Sequence, residues 1–245
     1  MKKAMVMGAT SAIAQEVCRI LAGRGMELVL AGRNPAKLKA VAADLKIRGA
    51  GRVETLVVDA ADFRRHADAF HRAVRLLGGL DLLLIAHGEL GDQERAQKDV
   101  RESLELINTN FLSVVSLATP AAGYFEERRS GALAVISSVA GLRGRRRNYL
   151  YGSAKAGLNA YLSGLRNRLA PSGARVLTYL VGFVDTPMTA DLPKNFLFVK
   201  PGKVARGMVR ALDGRGDVVY LPGFWRWIML AIRMIPESLF KKMNI

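Results

Sequence analysis

Short uninterrupted apolar runs alternate with longer segments of mixed character along this chain. Residues 4–7, 27–31, 53–58, 80–85, 131–137, 175–180 and 218–221 read as strands. Apolar runs of that length, without polar alternation, fit strands covered on both faces. The intervening segments 12–22, 35–48, 63–77, 100–128, 149–171 and 201–212 read as helices. In the long one, Leu104, Ile107, Phe111, Leu112 and Val115 recur with helical period. A second stripe runs through Ala154, Leu158, Tyr161, Leu162, Leu165 and Leu169. His66 and His71 are expected at the surface of the 63–77 helix, and residues 188–200 are expected to form a mobile lid.

With 245 residues, half of them hydrophobic, the chain fits one large α/β domain with a sizeable core. The single cysteine, Cys18, excludes an intramolecular disulfide and fits a reducing compartment. The apolar stretch after Met1-Lys2-Lys3 stops at Gly8, too short for a signal sequence, and no run is long enough to span a bilayer. The expected location is therefore the cytoplasm. A net charge of +16 points to a phosphorylated ligand, a membrane surface, nucleic acid or simply a basic solvated face. No zinc-ligand spacing, aromatic RNA-binding motif or helix-turn-helix pattern accompanies it. No nucleic-acid partner and no metal are expected.

Residues 138–155 hold the densest candidate chemistry. The apolar run 132–136 leads into Ser137 and Ser138, as a buried strand does at a polar edge. Strand alternation turns these two serines to opposite faces. Tyr151 and Lys155 are four apart and share one helix face. An ammonium beside a phenol is expected to lower the phenol pKa. Such a tyrosine can pass a proton to a carbonyl oxygen gaining charge, and Ser138 can donate a hydrogen bond to the same oxygen. At the other end, the strand 4–7, the turn Gly8-Ala9-Thr10-Ser11-Ala12-Ile13-Ala14 and the helix after it make a phosphate site from backbone N–H groups and the helix dipole.

Ser138, Tyr151-x-x-x-Lys155 and the glycine-containing first turn together resemble the short-chain dehydrogenase/reductase family, over essentially the whole chain. The resemblance implies a single Rossmann-type doubly wound parallel sheet of about seven strands with helices on both faces. It implies Ser138, Tyr151, Lys155 and Asn110 as catalytic residues, Asn110 holding a water that leads from Lys155 to solvent. It implies a nicotinamide cofactor held by Gly8, Thr10, Ser11, Ala12, Ile13, Arg33, Asp59, Ala86, His87, Gly88, Tyr151, Lys155, Gly182, Val184 and Thr186. Family glycines are replaced by Ala12 and Ala14, and the usual Asn-Ala-Gly reads Ala86-His87-Gly88. Asp59 is expected either at the adenine or as a helix cap. Strand 27–31 ends in Gly32-Arg33-Asn34-Pro35, with no carboxylate for a ribose 2′-hydroxyl. Arg33 supplies a fork for a 2′-phosphate instead, so NADP(H) is expected over NAD(H). A homodimer or homotetramer is expected from the family's use of the helix that carries Tyr151.

Two further stretches bear on the substrate. Arg143, Arg145, Arg146 and Arg147 lie between Ser138 and Tyr151, and Arg143 is the expected anion ligand beside Ser138 and Tyr151 in a substrate site. Residues 224–245 mix aromatics, aliphatics and basic residues, as interfacial segments do. The chain is thus divided into a reductase domain, 1–223, and a basic amphipathic tail, 224–245, for a membrane surface or for packing on the domain or a partner subunit. These stretches, with 87–92 and 151–158, resemble the decaprenylphosphoryl-2-keto-ribose (decaprenylphosphoryl-D-2-keto-erythro-pentose) reductase branch. That branch implies a polyprenyl-phosphate-linked keto-sugar and contact with the inner face of the plasma membrane. The alternatives are reduction of another lipid, a steroid or a 3-oxoacyl compound, and a non-catalytic NADPH-binding scaffold.

Overall fold

The uninterrupted apolar runs are strands because helices cover both faces of the sheet they form. In the computed structural model, which describes residues 1–244, seven strands make one parallel sheet. They are β1 Lys3–Met7, β2 Glu27–Gly32, β3 Arg52–Val57, β4 Leu82–Ile85, β5 Ala132–Ser138, β6 Arg175–Val181 and β7 Val218–Leu221. Their spatial order is β3-β2-β1-β4-β5-β6-β7. The pleat divides the core: Ala4, Val6, Leu28 and Leu30 face one layer, and Met5, Met7, Val29 and Ala31 face the other.

Helices α1 Ala12–Ala22, α2 Pro35–Ile47 and α8 Pro201–Asp213 cover the first face. The second is covered by α3 His66–Leu77, α6 Ser113–Glu127 and α7 Tyr149–Leu169. The short α4 Gln93–Ala96 and α5 Val100–Ile107 precede α6. The tail forms α9 Trp225–Met234 and α10 Glu237–Phe240. The strand order reverses between β1 and β4, so the loops after these strands open a crevice at the carboxyl edge of the sheet. No described helix is long and apolar enough to cross a membrane.

Two expectations change, and one left open is decided. The segment 100–128 is not one helix: α5 and α6 are joined by a π-turn, Asn108–Leu112. The widened turn carries Asn110 inward, fully buried, where its amide holds the Glu89 backbone. His66 is buried, not exposed, because its ring packs near Phe63 and its Nε2 lies 3.2 Å from the Asp59 carbonyl. His71 is exposed, as expected. Of the alternatives for the tail, packing on the domain is seen: Trp225 and Met229 are buried against Val139 and Leu180.

Candidate active site

Ser138 ends β5, beside Val181 of β6, and starts a 3-10 turn, Val139–Leu142. Its hydroxyl accepts from Ala140 N at 3.1 Å and donates to Val181 O at 3.3 Å. The turn then lies directly on α7. A methyl at Gly141 would come within 2.5 Å of the Lys155 carbonyl carbon, so only glycine permits this approach. The contact holds Ser138 beside Tyr151, where its hydroxyl opposes part of the rise that burial imposes on the phenol. Ser137, facing away, donates to Asn159 Oδ1 at 2.5 Å.

The electrostatics differ from the simple expectation. Burial pushes the Tyr151 phenol up, and the Ser138 hydroxyl and the Arg145 charge only partly offset this. The Lys155 ammonium lies 5.7 Å from the Tyr151 ring centroid and donates to Ile136 O at 3.4 Å. Burial also lowers Lys155 itself, to about 8.

This shift has a consequence for stability. Between about 8 and 10.5 the unfolded chain binds a proton at Lys155 that the folded chain does not, so stability rises with pH across that window. Below about 8 both states carry the charge and the burial penalty is constant. Lys155→Met is expected to exceed the wild type by about 3 kcal/mol at pH 7, a gap that closes toward pH 10.5. Urea unfolding at a series of pH values measures it; a gap independent of pH would show that Lys155 is solvated.

Asn110 fastens the loop after β4 to the same centre. It accepts from Glu89 N at 3.2 Å and donates to Glu89 O at 2.9 Å and Leu106 O at 3.1 Å. Gly88 lies between it and Lys155: a methyl there would sit 2.8 Å from Asn110 Oδ1 and 3.5 Å from Lys155 Nζ. Ala86 is buried and His87 lies 2.7 Å from Ser113 Oγ. Ser113 Oγ donates its proton to Thr109 O, so His87 Nε2 carries the hydrogen. Burial pushes His87 down to about 3, and its Nδ1 is an acceptor without a described partner.

Gly8 turns at φ +77°, and a methyl there would meet His87 N at 2.6 Å, so the loops after β1 and β4 touch at the crevice. Ser11 caps α1 by accepting from Ala14 N at 3.2 Å. Ala12 lines a cavity of about 770 Å³ with Gln15, Arg19, Lys200, Lys203 and Arg206. Glu16 and Asp185 also line it, so four cations face two carboxylates. Thr10 gives its carbonyl to Gln15 and Ile13 packs on the core. Arg33 is exposed at the end of β2. Asp59 is exposed after β3, its carboxylate accepting from Ala61 N at 3.0 Å, and it does not cap the turn at Phe63–Arg65. After β6, Val184 is buried and bridges to Val199, and Thr186 N donates to Thr189 Oγ1 at 3.3 Å.

The tail closes the other side. Arg143 is drawn away from the reacting groups: it donates to Ile232 O, Arg233 O and Ile235 O at 2.7–3.0 Å and to Glu237 at 2.9 Å. Its guanidinium also lies 3.9 Å from the Phe240 ring centroid. Trp225 packs on Gly182 so closely that a methyl there would be 1.8 Å from its indole nitrogen. Neither Trp225 nor Gly141 was singled out by motif reasoning. The signal for both is a small residue at a place where two backbones or a large ring must meet.

The family model for short chain dehydrogenase matches residues 2–196. The chain belongs to the short chain dehydrogenase family. It is 38% identical over 239 residues to an uncharacterized oxidoreductase of Mycobacterium tuberculosis, covering 98% of this chain and 96% of that one. It is 35% identical over 242 residues to an uncharacterized oxidoreductase of Streptomyces coelicolor, covering 98% and 95%. The fold is similar to that of levodione reductase, with a TM-score of 0.82 at 19% identity over 91% of this chain and 97% of that one. As a member of this family the chain is an oxidoreductase, and the family uses nicotinamide cofactors.

Proposed function

We propose that the protein is an NADPH-dependent reductase that converts a ketone to an alcohol. The observation that carries this reading is the convergence of Ser138, Tyr151, buried Lys155 and buried Asn110 at the mouth of the β1/β4 crevice. The cofactor supplies the hydride. Tyr151 gives its phenolic proton to the carbonyl oxygen, and Ser138 donates a hydrogen bond to the same oxygen. Lys155 holds the nicotinamide ribose, and Asn110 positions the water that restores the proton. The α1 N-terminus, capped by Ser11, receives the pyrophosphate, with Gly182, Val184 and Thr186 at the nicotinamide and Asp59 toward the adenine. The cationic cavity at Ala12 supports room for phosphates despite the two replaced glycines.

NADPH is favoured by exposed Arg33 and by the absence of a carboxylate at the end of β2. Fluorescence titration with NADPH and NADH tests the reading, and binding of neither would overturn it. Arg33→Ala is expected to weaken NADPH binding about ten- to a hundredfold and to leave NADH binding unchanged. Equal effects on both would remove the 2′-phosphate contact.

A polyprenyl-phosphate-linked keto-sugar is the substrate suggested by the branch resemblance. Its support is the tail's outer face, where Trp227, Leu230 and Met234 are exposed beside Arg226 and Arg233. Exposed Leu104, Leu112 and Tyr149 near the start of α7 support a homodimer through that face. Arg143 is engaged by the tail, so an anionic substrate needs another cation.

A further inference from the structure

The four arginines before α7 are not equivalent. Arg143 is bound by the tail, and Arg146 and Arg147 are exposed. Arg145 is half-buried, its Nε is shut off from water, and that nitrogen has no hydrogen-bond partner among the described residues. Its neighbour on the α7 side is the Tyr151 phenol, which is uncharged at neutral pH, and no carboxylate acts on it. The backbone around it is fixed: Arg145 O accepts from Asn148 N at 3.1 Å, and Gln93 holds Leu150 N at 3.0 Å. The buried Nε has no acceptor and the terminal nitrogens make no hydrogen bond among the described residues, so the fork is free to take an anion from outside the chain. The planar fork of arginine suits the paired oxygens of phosphate and carboxylate.

We infer that Arg145 binds an anionic group of the substrate, a phosphate or a carboxylate, next to the Tyr151 hydroxyl. The inference rests on the reading of Ser138 and Tyr151 as the reacting centre. It defines the substrate class as a carbonyl compound with an acidic group near the reacting carbon. It also separates the anion site from Arg143, which positions the tail.

The test is calorimetric titration of the full chain, with and without saturating NADP⁺, using phenyl phosphate and benzoate as probes. Wild type is expected to bind at least one of them. Arg145→Leu is expected to weaken that binding tenfold or more, Arg145→Lys less, and Arg146→Leu not at all. Unaltered binding in Arg145→Leu, equal loss in Arg146→Leu, or no binding of either probe to wild type overturns the inference. Should Arg145→Leu fail to fold, Arg145→Lys decides: it keeps the charge and loses the fork, and wild-type affinity in it counts against the site. The two readings fail separately. NADPH binding without anion binding removes only the Arg145 site, while Arg145-dependent anion binding without NADPH or NADH binding removes only the reductase.

Discussion

Tyr151→Phe is expected to lower turnover by about 10²- to 10⁴-fold while cofactor affinity stays within about twofold. The substitution keeps the ring and removes only the hydroxyl, so the packing of α7 against the Ser138 turn persists. The direction of the Tyr151 shift strengthens the expectation. Burial raises the phenol, with the Ser138 hydroxyl and the Arg145 charge pulling the other way. A raised phenol holds its proton throughout the neutral range, which suits donation to a carbonyl rather than proton removal from an alcohol. Stopped-flow turnover alongside cofactor titration and thermal melting measures the three quantities together. Retained turnover with an unchanged melt would assign the proton to another group, and the proposed mechanism would fall.

The strands were legible because parallel sheets bury both faces, so each strand appears as an apolar run. That Ser138, Tyr151 and Lys155 lie near one another was legible because one strand end and one helix face position them, both of which spacing describes. The π-turn was not, since one extra residue in a turn hardly alters an apolar period averaged over the whole segment 100–128. It is the Asn110 amide, clasping Glu89 across the β4 loop, that marks it. His66 was misplaced because a polar residue on a helix defaults to the surface, whereas this one lies at the Asp59 carbonyl. The loop arginines have equal weight in the sequence. Only the fold of the tail shows that Arg143 is drawn to the end of α9 and Arg145 is not.

Gly182→Ala is expected to expel Trp225 from its seat and to destabilise the fold by about 1–3 kcal/mol. The methyl would stand 1.8 Å from the indole nitrogen, in space no rotation of the methyl can vacate. Trp225 is buried with Met229 against Val139, the residue after Ser138, and its ring meets Phe183 at 5.4 Å. Displacing it therefore disturbs both walls of the proposed substrate site: the turn that sets Ser138 and the loop after β6. Both tryptophans of the chain, Trp225 and Trp227, lie in α9, so intrinsic fluorescence reports this segment alone. A red-shifted emission in Gly182→Ala, with turnover reduced, is the expected result. Arg143→Ala provides the complementary case. It releases the end of α9 and α10 while Gly182 still admits the indole, so the emission is expected to shift less than in Gly182→Ala. Unchanged emission in Gly182→Ala would mean that Trp225 does not sit on the β6 loop in solution, and the tail would then be a separate surface element rather than a wall of the site.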